Sequence, residues 1–243
     1  MQKPLLEIAT FSLQGAIDAA MVGAHRIELC ENPKDGGTTP SYGMMKIASK
    51  NISIPIFPII RPRGGNFVYS PEEIDIIIHD IEMVKKLGIK GIVVGALTKN
   101  GNIDMNNMKY IMNHAHGLEV TFHRAFDRVR HLEESLENII SLGCKRILTS
   151  GQFPTVMEGI YNLKKIINLA NKRIIIMPGS GVNSSNIREL ATLIQATEYH
   201  TATRLSIHEP NVYNNKTMNE IPNYTGVDTN EIKNILKELR TLA

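Results

Sequence analysis

Eight short apolar runs, rich in isoleucine and valine, recur along the chain, and each stops at a polar or reactive residue. The endings are Glu7, Glu28 with Cys30, Arg61, Gly95, His123 with Arg124, Thr149 with Ser150, Pro178-Gly179 and His200. Unbroken apolar strands belong to parallel sheets whose faces are covered by helices. The sequence predicts strands near 5–9, 25–30, 55–61, 90–95, 118–123, 145–149, 173–177 and 195–200. Helical periodicity predicts helices near 12–22, 41–49, 71–87, 104–115, 132–142, 155–170 and 183–194. Strict strand–helix alternation favours parallel pairing with right-handed crossovers. A doubly wound open sheet would show the same alternation. The count of eight, and the lack of a GxGxxG turn after the first strand, favour closure into a barrel. The predicted fold is therefore α/β, a (β/α)8 TIM-type barrel formed by residues 1–243 as one domain. The length of 243 residues is close to the ~250 of such barrels.

Local punctuation supports these elements. Ser70-Pro71-Glu72-Glu73 reads as a capping box with proline at the first helical position. Gly23, Gly88 and Gly143 stand where helix C-terminal caps are expected. Asn183 is placed to cap the helix after strand seven. Pro55 and Pro58 bracket the third strand, and Pro58 removes a ladder donor, so a bulge is expected there. The stretch 201–227, with Asn214, Asn215, Asn219 and Asn223, has no clear period and reads as an irregular excursion. Asp228 to Glu231 then signals a C-terminal helix with Ile232, Ile235, Leu236 and Leu239 on one face.

Bulk properties exclude several classes. The formal charge is only +3 and no dense Lys/Arg run occurs, so no nucleic-acid partner is indicated. No apolar stretch approaches the ~18 residues needed to span a bilayer, and the segment beginning Met1-Gln2-Lys3-Pro4 lacks a signal-peptide core. Two cysteines, Cys30 and Cys144, are too few for a disulfide scaffold and suit a reducing cytoplasm.

A barrel gathers the carboxyl ends of its strands on one face, where chemistry is done. Residues two apart in a strand share a side, so Glu28 with Cys30, and Thr121 with His123, point together. If these face the axis, Glu7, Glu28, Cys30, Arg61, His123, Arg124 and His200 converge on one opening. Buried carboxylates need partners, and Arg61 and Arg124 are the evident ones. One reading is acid–base catalysis by Glu7 or Glu28 with His123, Arg61 stabilising negative charge. A divalent metal held by Glu and His is a second. An ion-pair network that merely closes the barrel is the plain structural alternative. Glycine-rich turns add a binding feature: Thr149-Ser150-Gly151-Gln152 after strand six, and Pro178-Gly179-Ser180-Gly181 after strand seven. Backbone N–H groups at Ser150, Gly151, Gly179 and Gly181 are expected to cradle a small anionic ligand. Lys90, Lys145 and Lys172 sit at strand beginnings, so a Schiff-base lysine is not indicated. Cys30 beside Arg61 is either an activated thiolate or a buried inert thiol.

Several runs are long and unusual. They include Gly23-Ala24-His25-Arg26-Ile27-Glu28-Leu29-Cys30, Gly36-Gly37-Thr38-Thr39-Pro40-Ser41, Ile59-Ile60-Arg61-Pro62-Arg63-Gly64-Gly65-Asn66-Phe67 and Val120-Thr121-Phe122-His123-Arg124-Ala125-Phe126-Asp127. With Leu6-Glu7-Ile8 and Leu148-Thr149-Ser150-Gly151-Gln152, they resemble the CutC family of copper-homeostasis proteins along most of the chain. The resemblance implies a TIM-type barrel, a cytoplasmic location, a homo-oligomer and a role in copper homeostasis. It also implies a copper(I) ligand at Cys30. Many members carry a further cysteine after Leu-Glu-Ile, where this chain has Ala9-Thr10, and a His-Ser-Ser run where it has His200-Thr201-Ala202. Copper(I) favours two or more soft ligands, for which only Met44 and Met45 lie nearby in sequence.

Overall fold

A computed structural model describes residues 4–209, 213, 215–219 and 223–241. Met1, Gln2, Lys3 and Asn214, on which the sequence reading drew, lie outside the described residues. The eight expected strands form as β1 (Leu5–Thr10), β2 (Arg26–Leu29), β3 (Ile56–Pro58), β4 (Gly91–Val94), β5 (Glu119–Phe122), β6 (Arg146–Thr149), β7 (Ile175–Pro178) and β8 (Glu198–Thr201). Helices α1 (Leu13–Met21), α2 (Tyr42–Asn51), α3 (Pro71–Lys86), α4 (Met105–His114), α5 (Leu132–Ser141), α6 (Ile160–Ala170) and α7 (Ile187–Ile194) connect them. All strand pairs along the ring are parallel, in the ladders β3-β2-β1-β8 and β4-β5-β6-β7. Single bridges between Ile59 and Val93 and between Gly179 and His200 close the two seams. The fold is a (β/α)8 barrel.

The seam at β3 explains how Pro58 is tolerated. No bulge forms: Ile27, Glu28 and Leu29 pair without interruption with Ile56, Phe57 and Pro58. The Ile59 N–H donates to Leu29 on the β2 side, whereas Ile60 donates to Val93 on the β4 side. Pro58 shares the parity of Ile60. Its missing donor therefore faces the seam, where little ladder exists to break.

The helix signals are also accounted for. Ser70 and Glu73 form the reciprocal capping box of α3. Gly23, Gly88 and Gly143 take positive φ values of 103°, 72° and 79° after their helices. Asn183 accepts N–H bonds from Ser185 and Asn186, but in a turn that precedes α7, whose cap is Asn186. Within the segment expected to be irregular, β9 (Arg204–Ile207) pairs antiparallel with β10 (Tyr224–Val227). Helix α8 (Thr229–Arg240) follows, capped by Asp228, with Ile232, Ile235, Leu236 and Leu239 buried.

Two apolar layers result. A large one lies between barrel and helices; a small one of Ala9, Phe11, Cys30, Phe57, Ile59 and Val93 fills the interior. Phe57 crosses the barrel floor between two guanidinium groups, those of Arg26 at 5.1 Å and Arg146 at 5.3 Å from its ring centre. Gly91 makes room for that ring: a Cβ there would lie 2.4 Å from it. Gly91→Ala is therefore expected to cost about 1–3 kcal/mol, the usual penalty of overpacking, in urea denaturation.

Candidate functional site

The barrel interior is charged from floor to mouth. At the amino-terminal half, Arg26 is paired with both Glu7 and Glu198. Arg146 continues the chain of pairs to Glu198 at 3.0 Å and to Glu119 at 2.7 Å, and it also donates to Thr121. The carboxylates thus find their cations inside the barrel, at Arg26 and Arg146, and not at Arg61 and Arg124 as expected. Both arginines open their strands, where the sequence suggested nothing but strand beginnings. Glu7 is buried here, beneath the mouth. Burial pushes its carboxyl up, but the Arg26 charge and a hydrogen bond from His200 outweigh this and hold it near about 2.

Above this layer the chemistry changes. His200 Nδ1 lies 2.8 Å from Glu7, and its Nε2 lies 3.7 Å from Glu28. No arginine of the described residues forms an ion pair with Glu28. Burial raises its carboxyl to about 7, the His200 charge opposing and the Glu7 charge adding to the rise. Burial depresses His200, yet the Glu7 hydrogen bond and the Glu28 charge leave it raised. Glu28 and His200 therefore titrate under each other's influence. Burial, then the Glu28 and Glu7 charges, push the Cys30 thiol well above its usual pKa.

A cavity of about 420 Å³ opens at the strand ends, with Glu28, His200, Arg61, His123, Arg124 and Arg204 in its wall. His123 is the most unusual of these. Its Nδ1 accepts the Ala125 N–H at 3.3 Å, so the single proton of the neutral ring sits on Nε2. That Nε2 is buried and has no partner. Burial, followed by the Arg61 charge, lowers the ring to about 3, so it stays neutral at physiological pH. Gly95 is what lets the ring lie there, because a Cβ would sit 2.8 Å from Nδ1. Arg61 spends its terminal nitrogens on the backbone carbonyls of Asp35 (2.7 Å), Gly37 (2.9 Å) and Gly65 (2.8 Å). Its Nε is buried without a partner, and no carboxylate of the described residues forms an ion pair with it.

The glycine turns behave differently from expectation. The turn after β6 does hold a carboxylate, but one from the chain itself. Asp127 accepts from the N–H groups of Ser150 and Gln152, from both hydroxyls of Thr149 and Ser150, and from Arg124 at 2.7 Å. The Gly151 N–H is taken by Thr149, and the Gly179 N–H by the Thr149 carbonyl. Gly179 is needed for space, since a Cβ would meet Leu148 at 2.5 Å. Only Gly181, of the four turn residues expected to hold an anion, lines the cavity. Strand-end periodicity does not point to Asp127, because it lies in a 3-10 turn beyond the end of β5.

The donor set at Cys30 does not suit copper. The thiol is 1% exposed, and its cluster neighbours Ala9, Phe11, Phe57, Ile59 and Val93 offer no sulfur. Met45 is buried in the outer layer with Met44 packed beside it, and Cys144 rests on Met112, their sulfurs 3.9 Å apart. Among the described residues no three His, Cys, Asp or Glu side chains converge as a metal site. A copper(I) titration under reducing conditions is expected to show no tight site that Cys30→Ser removes; such a site would overturn this assignment.

The fold and the cavity define a barrel protein with a closed, charged interior and a polar pocket at its strand ends. Residues 4–205 match the CutC family, and the chain belongs to it. A CutC family protein of Bacteroides fragilis is 47% identical over 219 residues, covering 90% of this chain and 87% of that protein. A human copper homeostasis protein cutC homolog is 42% identical over 200 residues, covering 82% of this chain and 73% of that one. The crystal structure of a CutC protein from Streptococcus agalactiae superimposes with a TM-score of 0.78 at 34% identity, over 82% of this chain and 98% of that one. No helix among the described residues is long and apolar enough to cross a membrane.

Proposed function

We propose that this CutC-family barrel is an enzyme that performs acid–base chemistry on a small anionic substrate at its strand ends. One observation carries the reading. A buried carboxyl raised toward neutrality, Glu28, lines a strand-end cavity together with His200, Arg61 and Arg204. A titratable group shifted by burial and by specific charged neighbours, set in a cleft, marks a candidate site. Titratable groups whose surroundings push their pKa values apart mark acid–base assignments. Here Glu28 carries the proton, while the His123 ring stays neutral. Arg61 and Arg204 supply the charge that draws an anion. The two free thiols, Cys30 and Cys144, support a reducing, cytoplasmic setting for this chemistry.

A screen of small phosphates and carboxylates by thermal shift, followed by turnover assays, tests the reading. At least one compound should stabilise the wild type and be converted by it, and Glu28→Gln should not convert it. A screen in which no anion stabilises the protein, or in which Glu28→Gln converts every ligand as fast as wild type, contradicts it.

A further inference from the structure

Glu28 and His200 stand on the two strands that flank β1, Glu28 level with Ala9 and His200 level with Glu7. The His200 ring is tied at one nitrogen and untied at the other. Its Nδ1 lies 2.8 Å from Glu7, which is also paired with Arg26. An ionised carboxylate at Nδ1 keeps the proton of the neutral ring there and leaves Nε2 as the exchanging atom. No described residue hydrogen-bonds that Nε2, and a Glu28 carboxylate oxygen lies 3.7 Å from it. The His200 and Glu28 side chains line the strand-end cavity and keep 9% and 7% of their surface, against 1% for Glu7. They therefore meet the cavity while Glu7 stays beneath it. Among the described residues Glu28 is the one carboxylate in that wall. Arg61 and Arg204 share the wall; both donate to backbone carbonyls, and neither forms an ion pair with a described residue.

From this arrangement we infer that His200 is a second catalytic group of the cavity, transferring a proton through Nε2 alongside Glu28, and that Glu7 is its positioning residue. This role rests on the acid–base reading above and assigns the partner of Glu28. The Glu28 carboxylate takes a proton from the substrate, and the electron pair of the broken bond stays with the substrate. The His200 imidazolium gives its Nε2 proton to the substrate atom on which that pair comes to rest. Protonated Glu28 then hands its proton to the neutral Nε2 across the 3.7 Å gap, which restores both groups. The substrate keeps its proton count and its oxidation level. The class of reaction is therefore an isomerisation by proton shift, with no co-reactant. Both groups belong to one wall, so the proton leaves and arrives on the same face of the substrate. Burial weakens the hold of His200 on its proton, but the Glu7 hydrogen bond and the Glu28 charge raise it past the ordinary 6.5. The imidazolium form is thus at hand near neutrality.

Iodoacetate tests the role of His200 before any substrate is known. It is a small anion that alkylates an imidazole nitrogen carrying a free electron pair: the N–C bond forms as iodide leaves. The full chain is treated with iodoacetate or with neutral iodoacetamide, and the alkylated residues are located by peptide mass spectrometry. His200 should react at least about tenfold faster with iodoacetate, because a cationic cleft concentrates an anion, and inorganic phosphate should slow it. The exposed His79 should show no such preference. The rate at His200 should rise with pH about a midpoint above 6.5, as the ring loses its proton. Glu7 on β1 and Glu28 on β2 raise that midpoint, Arg26 on β2 lowers it, and Cys30 and Arg204 act on the neighbouring Glu28. Glu7→Gln should move the midpoint down and cut the plateau rate by at least about tenfold, since an amide does not enforce the tautomer. Glu28→Gln should move the midpoint down without lowering the plateau. In the anion screen, His200→Gln should convert any substrate at least ~100-fold more slowly than wild type. An unlabelled His200, or labelling that neither prefers iodoacetate nor responds to Glu7→Gln, overturns the role of His200, while Glu28-dependent turnover leaves the acid–base reading standing. A screen in which no anion is converted overturns that reading, and the catalytic role of His200 with it.

Discussion

Replacing Arg26 by methionine is expected to destabilise the protein by about 3–5 kcal/mol, measured as a lower urea midpoint with an unchanged slope. The reason lies in what remains behind. Glu7 and Glu198 are 1% and 5% exposed, and Arg26 is the cation common to both. Methionine fills the volume but leaves Glu7 with only His200, and Glu198 with Arg146 alone. A buried ion pair is a weak contributor compared with an apolar replacement of both partners, whereas removal of one partner strands a charge. The double substitution Arg26→Met with Glu7→Gln is therefore expected to recover part of the loss. The same variant should disturb the mouth, because Glu7 also fixes His200, which in turn faces Glu28. A loss below about 1 kcal/mol would show that the floor network does not operate as described.

Glu28→Gln is expected to lower turnover of the substrate by about 10²–10⁴-fold while keeping its binding, the range that general acid–base groups contribute. Glutamine preserves shape and hydrogen-bonding capacity but accepts no proton. In the wild type the base form of Glu28 builds up as pH rises through about 7, so turnover should climb over that interval. His200, Cys30, Glu7 and Arg204 are the titratable or charged neighbours of that carboxyl. Stability should move the opposite way. The folded carboxyl titrates near about 7 and its ordinary value is 4.5, so the unfolded chain ionises first. The favourable contribution of protonated Glu28 is present in full below 4.5 and is lost as pH rises through about 7. Relative to wild type, Glu28→Gln should thus gain stability between those values.

Period and punctuation were enough to read the barrel. Apolar strand runs and capping residues such as Ser70 and Gly88 act locally, so they survive in the sequence. The hairpin of β9 and β10 was not legible because each arm is only four residues long, β9 is mostly exposed, and the two arms are distant in sequence. Pairing of that kind is set by tertiary context and not by period. The site was half legible. Strand-end positions and side-chain parity brought Glu28, His123, Arg61 and His200 to one cavity. The same rule placed Glu7 at the mouth, whereas its register with Arg26 and His200 draws it down to the floor network. Which cation meets which carboxylate depends on stagger between strands, and a single sequence does not encode stagger visibly. Asp127 illustrates the remaining gap: backbone N–H groups that attract anions attracted one from the same chain.

The central claim is that the mouth holds a proton carrier in Glu28 beside a neutral imidazole in His123, and NMR titration of the two side chains tests it most directly. The Glu28 carboxyl carbon should titrate near about 7, and the His123 ring should remain neutral, with its proton on Nε2, at every pH above about 4. A Glu28 carboxyl that titrates near an ordinary ~4.3, together with a His123 ring that charges near ~6.5, would contradict the account.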